Sequence, residues 1–323
     1  MPHAIRVHQT GGPEVLEWEE VEVGNPGPGQ ATIRQEAVGL NFIDVYHRTG
    51  LYPQPLPFTP GVEGAGVVEA VGPDVTDIRL GDRVAYAGPI GGYAEQRLIA
   101  ADRLVKLPDS ISAEQAAAMM LKGLTAEMLV RRVYPVQAGQ TVLVHAAAGG
   151  VGLILCQWAK ALGATVIGTV GSDEKAELAR AHGCDHPIVY TRQDFVAEVE
   201  RITESKKVPV VYDGVGRDTF MKSLDCLARR GMMVSFGNAS GAVDPFPPSM
   251  LAQKGSLFLT RPTAYDYVAT PVELQQAAAE LFEVVESGKV RIEVDQRFPL
   301  KDAAEAHRQL EARKTTGSTI LTI

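Results

Sequence analysis

Apolar and polar positions fall into three textures along the chain. Up to about residue 110, short runs such as Ala31 to Val38 alternate apolar and polar residues, the period of a strand that buries one face. Turn formers separate these runs at Gly11–Pro13, Gly24–Gly29 and Gly88–Gly92. With Gly61–Val68 and Gly81–Val84 they predict a small, turn-rich β-barrel or sandwich. At Ser112 the period changes. Ser112 and Gln115 have the spacing of a capping box, with Ser112 as N-cap, ahead of an Ala/Met/Leu-rich helix. Strands and helices then alternate: strand Thr141–Ala147, helix Gly150–Leu162, strand Thr165–Val170, and helix Asp173–His182 capped by Ser172. Strands at Val208–Asp213 and Gly231–Gly237 continue the series, which predicts a parallel sheet with helices on both faces. The last 60 or so residues mix a helix at Pro271–Ser287, a strand at Val290–Val294, a helix at Asp302–Lys314 and a strand at Ser318–Ile323. The pattern therefore predicts an α/β fold in which a Rossmann-type, doubly wound parallel sheet is inserted into a β-rich domain that the C-terminus completes.

Composition changes this picture little. A chain of 323 residues with 45% hydrophobic and 22% charged residues suits two soluble domains. A net charge of −8 argues against a broad grip on nucleic acid or on an anionic membrane. The opening residues hold no apolar run, so no secretory leader is expected, and Ala146–Cys156 is too short to cross a bilayer. Three scattered cysteines, Cys156, Cys184 and Cys226, read as free thiols of a cytoplasmic protein.

The sharpest chemical signal is Ala146-Ala-Ala-Gly-Gly-Val-Gly152, which directly follows a predicted strand and opens a predicted helix. Gly149 lets a pyrophosphate approach the backbone and Gly152 lets helix and strand pack closely, while the N–H groups of Gly150 and Val151 face the phosphates. The first glycine of the usual pattern is replaced by Ala147. Readers of NAD place an acid at the end of the second strand, against the ribose 2′-hydroxyl. Here that strand ends Gly168-Thr-Val170 without a carboxylate, and Ser172 and Lys175 follow. A hydroxyl, an ammonium and a helix N-terminus favour a 2′-phosphate, hence NADPH. Asp173 and Glu174 oppose it, although first-turn acids commonly serve only the helix dipole.

Together with Gly12-Pro-Glu-Val-Leu16, Gly39-Leu-Asn-Phe-Ile-Asp44, Gly61-Val-Glu-Gly-Ala-Gly66, Gly81-Asp-Arg-Val84, Leu121-Lys-Gly-Leu-Thr125 and Tyr212-Asp-Gly-Val-Gly216, this loop resembles the medium-chain dehydrogenase/reductase superfamily over essentially the whole chain. The resemblance is closest to its zinc-free, zeta-crystallin-like quinone oxidoreductase branch. It implies a GroES-like catalytic domain, residues 1–124 plus 262–323, around a Rossmann domain, residues 125–261, with the active-site cleft between them. It also implies that Asn41 and Tyr46 line the nicotinamide end and that Gly150 and Val151 hold the pyrophosphate. Ser172, Lys175 and Tyr190 then meet the 2′-phosphate, and Phe236, Gly237 and Asn238 cover the nicotinamide ribose.

Where zinc-dependent relatives carry metal ligands, this chain has Asn41, Val62 and Leu121 or Met120, with Glu63 as the one neighbouring carboxylate, and Tyr86–Ala100 contains no cysteine. No catalytic zinc is expected. Alcohol oxidation needs a Lewis acid or base, whereas a quinone delocalises the charge that hydride brings. Donors need only orient it, and Asn41, Tyr46 and Tyr52, in one loop-rich stretch, are the candidates. The expected activity is NADPH-dependent quinone reduction, with reduction of activated C=C bonds (alkenals, enones) as the rival chemistry. Non-catalytic roles, as a crystallin-like structural protein or an RNA binder, are known in this branch. Leu257–Thr260 reads as an exposed sheet edge through which two Rossmann sheets would join in a homodimer.

Overall fold

A computed structural model describes all 323 residues, which divide into two compact units. The first comprises Met1–Leu124, Val268–Glu286 and Ile292–Ile323, and the second Thr125–Tyr267 and Ser287–Arg291. Residues 262–267 and 287–291, which the family resemblance assigns to the GroES-like domain, fall in the second unit.

The N-terminal segment supplies β1 (His3–Arg6), β2 (Glu17–Glu20), β3 (Gln30–Gly39), α1 (Phe42–Thr49), β4 (Glu63–Val71), β5 (Arg83–Ala87), β6 (Gln96–Ala100), β7 (Val105–Lys106) and α2 (Ala113–Glu127). The two-fold alternation is visible in β3, where Arg34 and Glu36 are exposed between buried Ile33, Gln35 and Ala37. The expected capping box forms: Ser112 Oγ accepts from Gln115 N at 3.2 Å, and Gln115 Oε1 accepts from Ser112 N at 3.2 Å.

The second unit contains β8 (Thr141–Val144), α3 (Gly150–Ala161), β9 (Thr165–Val170), α4 (Asp173–Ala181), β10 (His186–Val189), α5 (Phe195–Ile202), β11 (Val208–Asp213), α6 (Phe220–Cys226), β12 (Leu227–Ser235), α7 (Ser249–Gln253), β13 (Phe258–Thr260) and α8 (Ala264–Tyr267). Its six strands run parallel in the order β10-β9-β8-β11-β12-β13. The order reverses beside β8, and doubly wound sheets bind ligands at such a switch point. Leu143, Ile167, Ile188, Val211 and Met233, one from each of five strands, form the core with Val199 and Phe220 from the covering helices.

The chain ends with α9 (Pro271–Glu286), β14 (Val294–Pro299), α10 (Ala303–Glu311) and β15 (Ser318–Thr322). β14 and β15 complete a seven-stranded sheet in the order β14-β15-β3-β4-β5-β7, with β6 paired to β3. Three expected bounds are corrected. The strand at 290–294 is absent and β14 begins at Val294; Arg291 instead exchanges backbone hydrogen bonds with the Gln157 side chain (2.9 and 3.1 Å). The strand expected at 231–237 runs from Leu227 to Ser235, so Phe236 and Gly237 lie beyond its end. Asn41 and Tyr46 are not in a loop: Asn41 caps α1 and Tyr46 lies within it.

Candidate active site

In the second unit, β8 leads through Ala146–Gly149 into α3. Ala146 takes a left-handed φ of 53°, and Gly149 N–H donates back to its carbonyl at 2.9 Å. A Cβ on Gly152 would lie 2.2 Å from that same oxygen, so only glycine lets α3 start this close to the strand. Ala147, in place of the first glycine, is wholly buried, and its methyl has room because the facing strand carries Gly168, where a Cβ would come within 2.6 Å of it. Gly149 as N-cap has no capping side chain, which leaves the first-turn N–H groups, those of Gly150 and Val151 included, without a side-chain acceptor at their N-cap. An uncapped N-terminus at the mouth of a parallel sheet fits a pyrophosphate. His145 is a core residue, buried between Thr169 Oγ1 and Ser223 Oγ at 2.8 Å each.

At the end of β9, Ser172 Oγ caps α4 by accepting from Lys175 N at 3.3 Å. Tyr190 is 43% exposed, and a Cβ on Gly171 would meet its hydroxyl at 3.1 Å, so Ser172, Lys175 and Tyr190 gather around one short turn. A fourth residue belongs here that the sequence reading missed. Arg192 forms a two-pronged ion pair with Asp173, holding that carboxyl below its ordinary range and neutralising the acid that opposed a phosphate. Glu174 is held low by its own backbone N–H and then by Ser172. Further along, Phe236 N donates to Asp213 O at 2.8 Å, and a Cβ on Gly237 would strike Gly214 O at 2.4 Å. The loops after β11 and β12 are therefore closely apposed, and Asn238, with its amide turned, accepts from Arg261 at 3.2 Å.

In the first unit, Asn41, Tyr46 and Tyr52 come together around α1. Asn41 N–H donates to Asp44 Oδ2 (2.9 Å) and its side-chain amide to Glu63 Oε1 (2.8 Å). Tyr46 and Tyr52 meet edge to face with centroids 5.2 Å apart, and Tyr52 N donates to Tyr46 O at 3.0 Å. Beneath them runs a polar network that the sequence reading did not find. Lys122 Nζ pairs with the fully buried Glu63. Tyr93 OH donates to Asp44 Oδ2 at 2.9 Å, and the hydroxyl lies 3.2 Å from His307 Nε2. Arg48, 1% exposed, reaches His307 Nδ1 at 3.0 Å and Glu311 with both terminal nitrogens. Because a guanidinium only donates, His307 must accept at Nδ1 and carry its proton at Nε2, so every hydrogen bond from Arg48 inward points toward Asp44. Two signals were available: the Asn-x-x-Asp spacing of Asn41 and Asp44, and a lone lysine in an apolar helix.

Burial raises the Asp44 carboxyl to about 7 and lowers the imidazoles of His47 and His307 to about 4 and about 3. The signs differ. Unfolded, the histidines titrate near 6.5, so between about 4 and 6.5 the unfolded chain binds two protons that the folded chain refuses, and stability falls as pH drops through that window. Folded Asp44 holds one proton between about 4 and 7 that the unfolded chain releases, and its contribution falls as pH rises. Two histidines outweigh one aspartate, so the melting temperature is expected to be lower at pH 5 than at pH 7.5. His307→Gln leaves one histidine against one aspartate and should abolish the difference. Equal melting temperatures at both pH values would contradict the assignment.

The chain matches the alcohol dehydrogenase GroES-like domain family over residues 27–109 and the zinc-binding dehydrogenase family over residues 150–280. It is 55% identical over 323 residues to a quinone oxidoreductase of Pseudomonas aeruginosa, covering 99% of each chain. It is 47% identical to a 2-haloacrylate reductase of Burkholderia, again over 99% of each. The crystal structure of Escherichia coli quinone oxidoreductase complexed with NADPH superposes with a TM-score of 0.98 at 50% identity, covering 99% of this chain and 100% of that one. Fold and site define a medium-chain dehydrogenase/reductase. Within that superfamily the chain belongs to the quinone oxidoreductase branch.

Despite the name of the second matched family, the residues here do not fit zinc. Asn41, Val62, Leu121 and Glu63 offer one carboxylate and no imidazole or thiolate, and that carboxylate is taken up by Asn41, Leu121 N–H and the Lys122 ammonium.

Proposed function

We propose that this chain is an NADPH-dependent quinone reductase that works without a metal. The observation that carries the reading is the uncapped start of α3 set against β8 by Gly152, followed by a second strand that ends without a free carboxylate. The named relatives support it, since one of them was crystallised with NADPH. Gly149, Gly150, Val151 and Gly152 receive the pyrophosphate. Ser172, Lys175 and Tyr190 take the 2′-phosphate, while Arg192 keeps Asp173 from repelling it. Phe236, Gly237 and Asn238 cover the nicotinamide ribose. When bound, the nicotinamide supplies the hydride. Asn41 and Tyr46 orient the reacting ring and, with Tyr52, hydrogen-bond the oxygen on which negative charge develops. A quinone that accepts hydride becomes a hydroquinone anion, and solvent completes it with a proton.

Steady-state NADPH oxidation tests this, with 1,4-benzoquinone and a 2-haloacrylate as competing acceptors. Faster turnover per molar acceptor with the quinone supports the proposal. Preference for the haloacrylate would favour C=C reduction, the reading that the Burkholderia relative supports.

The homodimer belongs to the same proposal. β13 is an edge strand, with Phe258 57% and Leu259 39% exposed, and an apolar edge of this kind calls for a partner. Sedimentation should give twice the chain mass for the native protein and a single chain for Phe258→Asp; a native monomer would refute the dimer. A cytoplasmic setting suits the three free, buried cysteines. No helix is long and apolar enough to cross a membrane.

A further inference from the structure

We infer that the acceptor this chain reduces is a quinone with an apolar side chain, an alkyl or isoprenoid tail, and that the exposed segment 51–57 is the track along which the tail lies. The inference rests on the proposed quinone chemistry and on the proposed contacts of Tyr46 and Tyr52 with the acceptor ring.

Residues 49–62 carry no charge, and four of them are prolines. Within this stretch Leu51 is 46% and Leu56 47% exposed, and Pro53, Pro55 and Pro57 are exposed as well. A single exposed leucine is ordinary, but two leucines and three prolines on one short segment make an apolar surface that calls for an occupant. The segment is held so that it cannot turn them inward. At its start Gly50 N donates to His47 O at 3.1 Å, and Tyr52 N to Tyr46 O at 3.0 Å. At its end Phe58 exchanges backbone hydrogen bonds with Val7 (2.8 and 3.1 Å) and packs in the core with Ile5 and Tyr93. Arg6 grips the same end, donating to Pro57 O at 3.4 Å and to Thr59 Oγ1 at 3.1 Å. Between these anchors the prolines fix φ, so little chain entropy is left to lose on binding.

What the surface adjoins decides what covers it. Tyr52 lies within the segment, its ring meets Tyr46 edge to face at 5.2 Å, and Tyr46 in turn meets Phe42 at 6.3 Å. The residues proposed to orient the quinone ring thus continue into the apolar segment. Leu56 Cα is at most about 14 Å from that of Tyr52, a span that a tail of about ten carbons covers. A bilayer or a protein is a poorer fit. Arg48 and Arg6, the cations that flank or grip the segment, are engaged by Glu311 and by Pro57 and Thr59, so neither offers its charge to an anionic lipid head group. A protein interface of standard size takes about 20–30 residues a side, far more than this segment provides.

Two quinones that differ only in tail length test this with NADPH: a dimethoxy-dimethyl-1,4-benzoquinone, and its analogue with decyl in place of one ring methyl. The exchange leaves the electron affinity of the ring nearly unchanged, so the ratio of the two kcat/KM values reports the tail. The expected ratio for the native protein is at least about 10 in favour of decyl, a factor that burial of about two methylenes accounts for. It should be carried by KM, with kcat alike, because the tail is bound equally in ground and transition states. In Leu51→Ser/Leu56→Ser the ratio should fall to within about 2-fold of unity. Both positions are exposed, and any change common to the two quinones, loss of folded protein included, cancels in the ratio. A native ratio near unity, or a ratio that the double substitution leaves unchanged, overturns the inference. So does native protein that co-sediments with phosphatidylcholine vesicles, or sediments as a larger species, where the double variant does not; a bilayer or a second copy would then cover the leucines. If neither quinone is turned over, the proposed function fails and this inference with it.

Discussion

Gly152→Val is expected to abolish NADPH binding. A Cβ at this position lies 2.2 Å from Ala146 O and 2.9 Å from the backbone of Ala147, and neither atom can yield without moving the turn. Overpacking of this kind typically costs about 1–3 kcal/mol, and a branched side chain against backbone belongs at the upper end. The strain falls on the turn that aims the first N–H groups of α3, so the variant should relieve it by pushing the helix start off the strand. A 100-fold loss of affinity corresponds to about 2.7 kcal/mol, and at least that is expected by fluorescence titration. Gly149→Ala is the informative companion. Its Cβ would lie 3.2 Å from Ala146 O, a contact that a small adjustment relieves, so the fold should keep its melting temperature. The methyl would nevertheless stand at the N-terminus of α3, the proposed pyrophosphate site, and a roughly 10-fold weaker affinity should follow, about 1.4 kcal/mol. Native NADPH affinity in Gly152→Val would contradict the assignment of this loop.

The second large effect concerns stability. Arg48 is buried and donates to Gly11 O at 3.1 Å, to His307 Nδ1 at 3.0 Å and to both oxygens of Glu311 at 3.0 and 2.8 Å. Arg48→Met fills the space but removes every donor. Gly11 O and His307 Nδ1 are left without their partner, and the orientation of the Tyr93–Asp44 chain is no longer enforced. Breaking a buried charged network from one side costs about 3–5 kcal/mol. For units of this size that is a fall in melting temperature on the order of 10 °C, readable by calorimetry. Glu311→Gln should cost far less, since Glu311 is 34% exposed and water can replace it. Equal effects of the two substitutions would show that the network does not bear on stability as described.

The contrast between these regions explains what the sequence made legible. The parallel sheet was readable because each strand is a compact apolar run, such as Val142–Val144 or Val210–Tyr212, followed by a glycine turn or a capping residue such as Ser172. Local chemistry there agrees with the global fold. The glycine loop was readable for the same reason, and its one departure, Ala147, is explained only by Gly168 on the neighbouring strand, a contact between residues 21 positions apart. α1 was announced only by the Asn-x-x-Asp spacing of Asn41 and Asp44. Phe42–Thr49 is short and rich in residues of modest helix propensity, and its start is secured by the Asp44 carboxylate, itself held by Tyr93 from far along the chain. The alternation at Val290–Val294 misled because the backbone N–H and C=O of Arg291 are met by the Gln157 side chain rather than by a neighbouring strand. Among the site residues, Ser172 and Lys175 follow from local spacing, whereas Tyr190 follows only from the family resemblance. Arg192 and His307 act through partners 19 and 214 positions away, and no local pattern announces them; Lys122 stands out as a lone lysine in an apolar helix, but its partner Glu63 lies 59 positions away.

The central claim is that the turn after β9 selects the 2′-phosphate. The most direct test is fluorescence titration with NADPH and with NADH on the native protein and on Lys175→Ala. The expected result is tight NADPH binding, weaker NADH binding, and a loss confined to NADPH when Lys175 is removed. Equal affinity of the native protein for both cofactors, or an equal loss for both in Lys175→Ala, would contradict it.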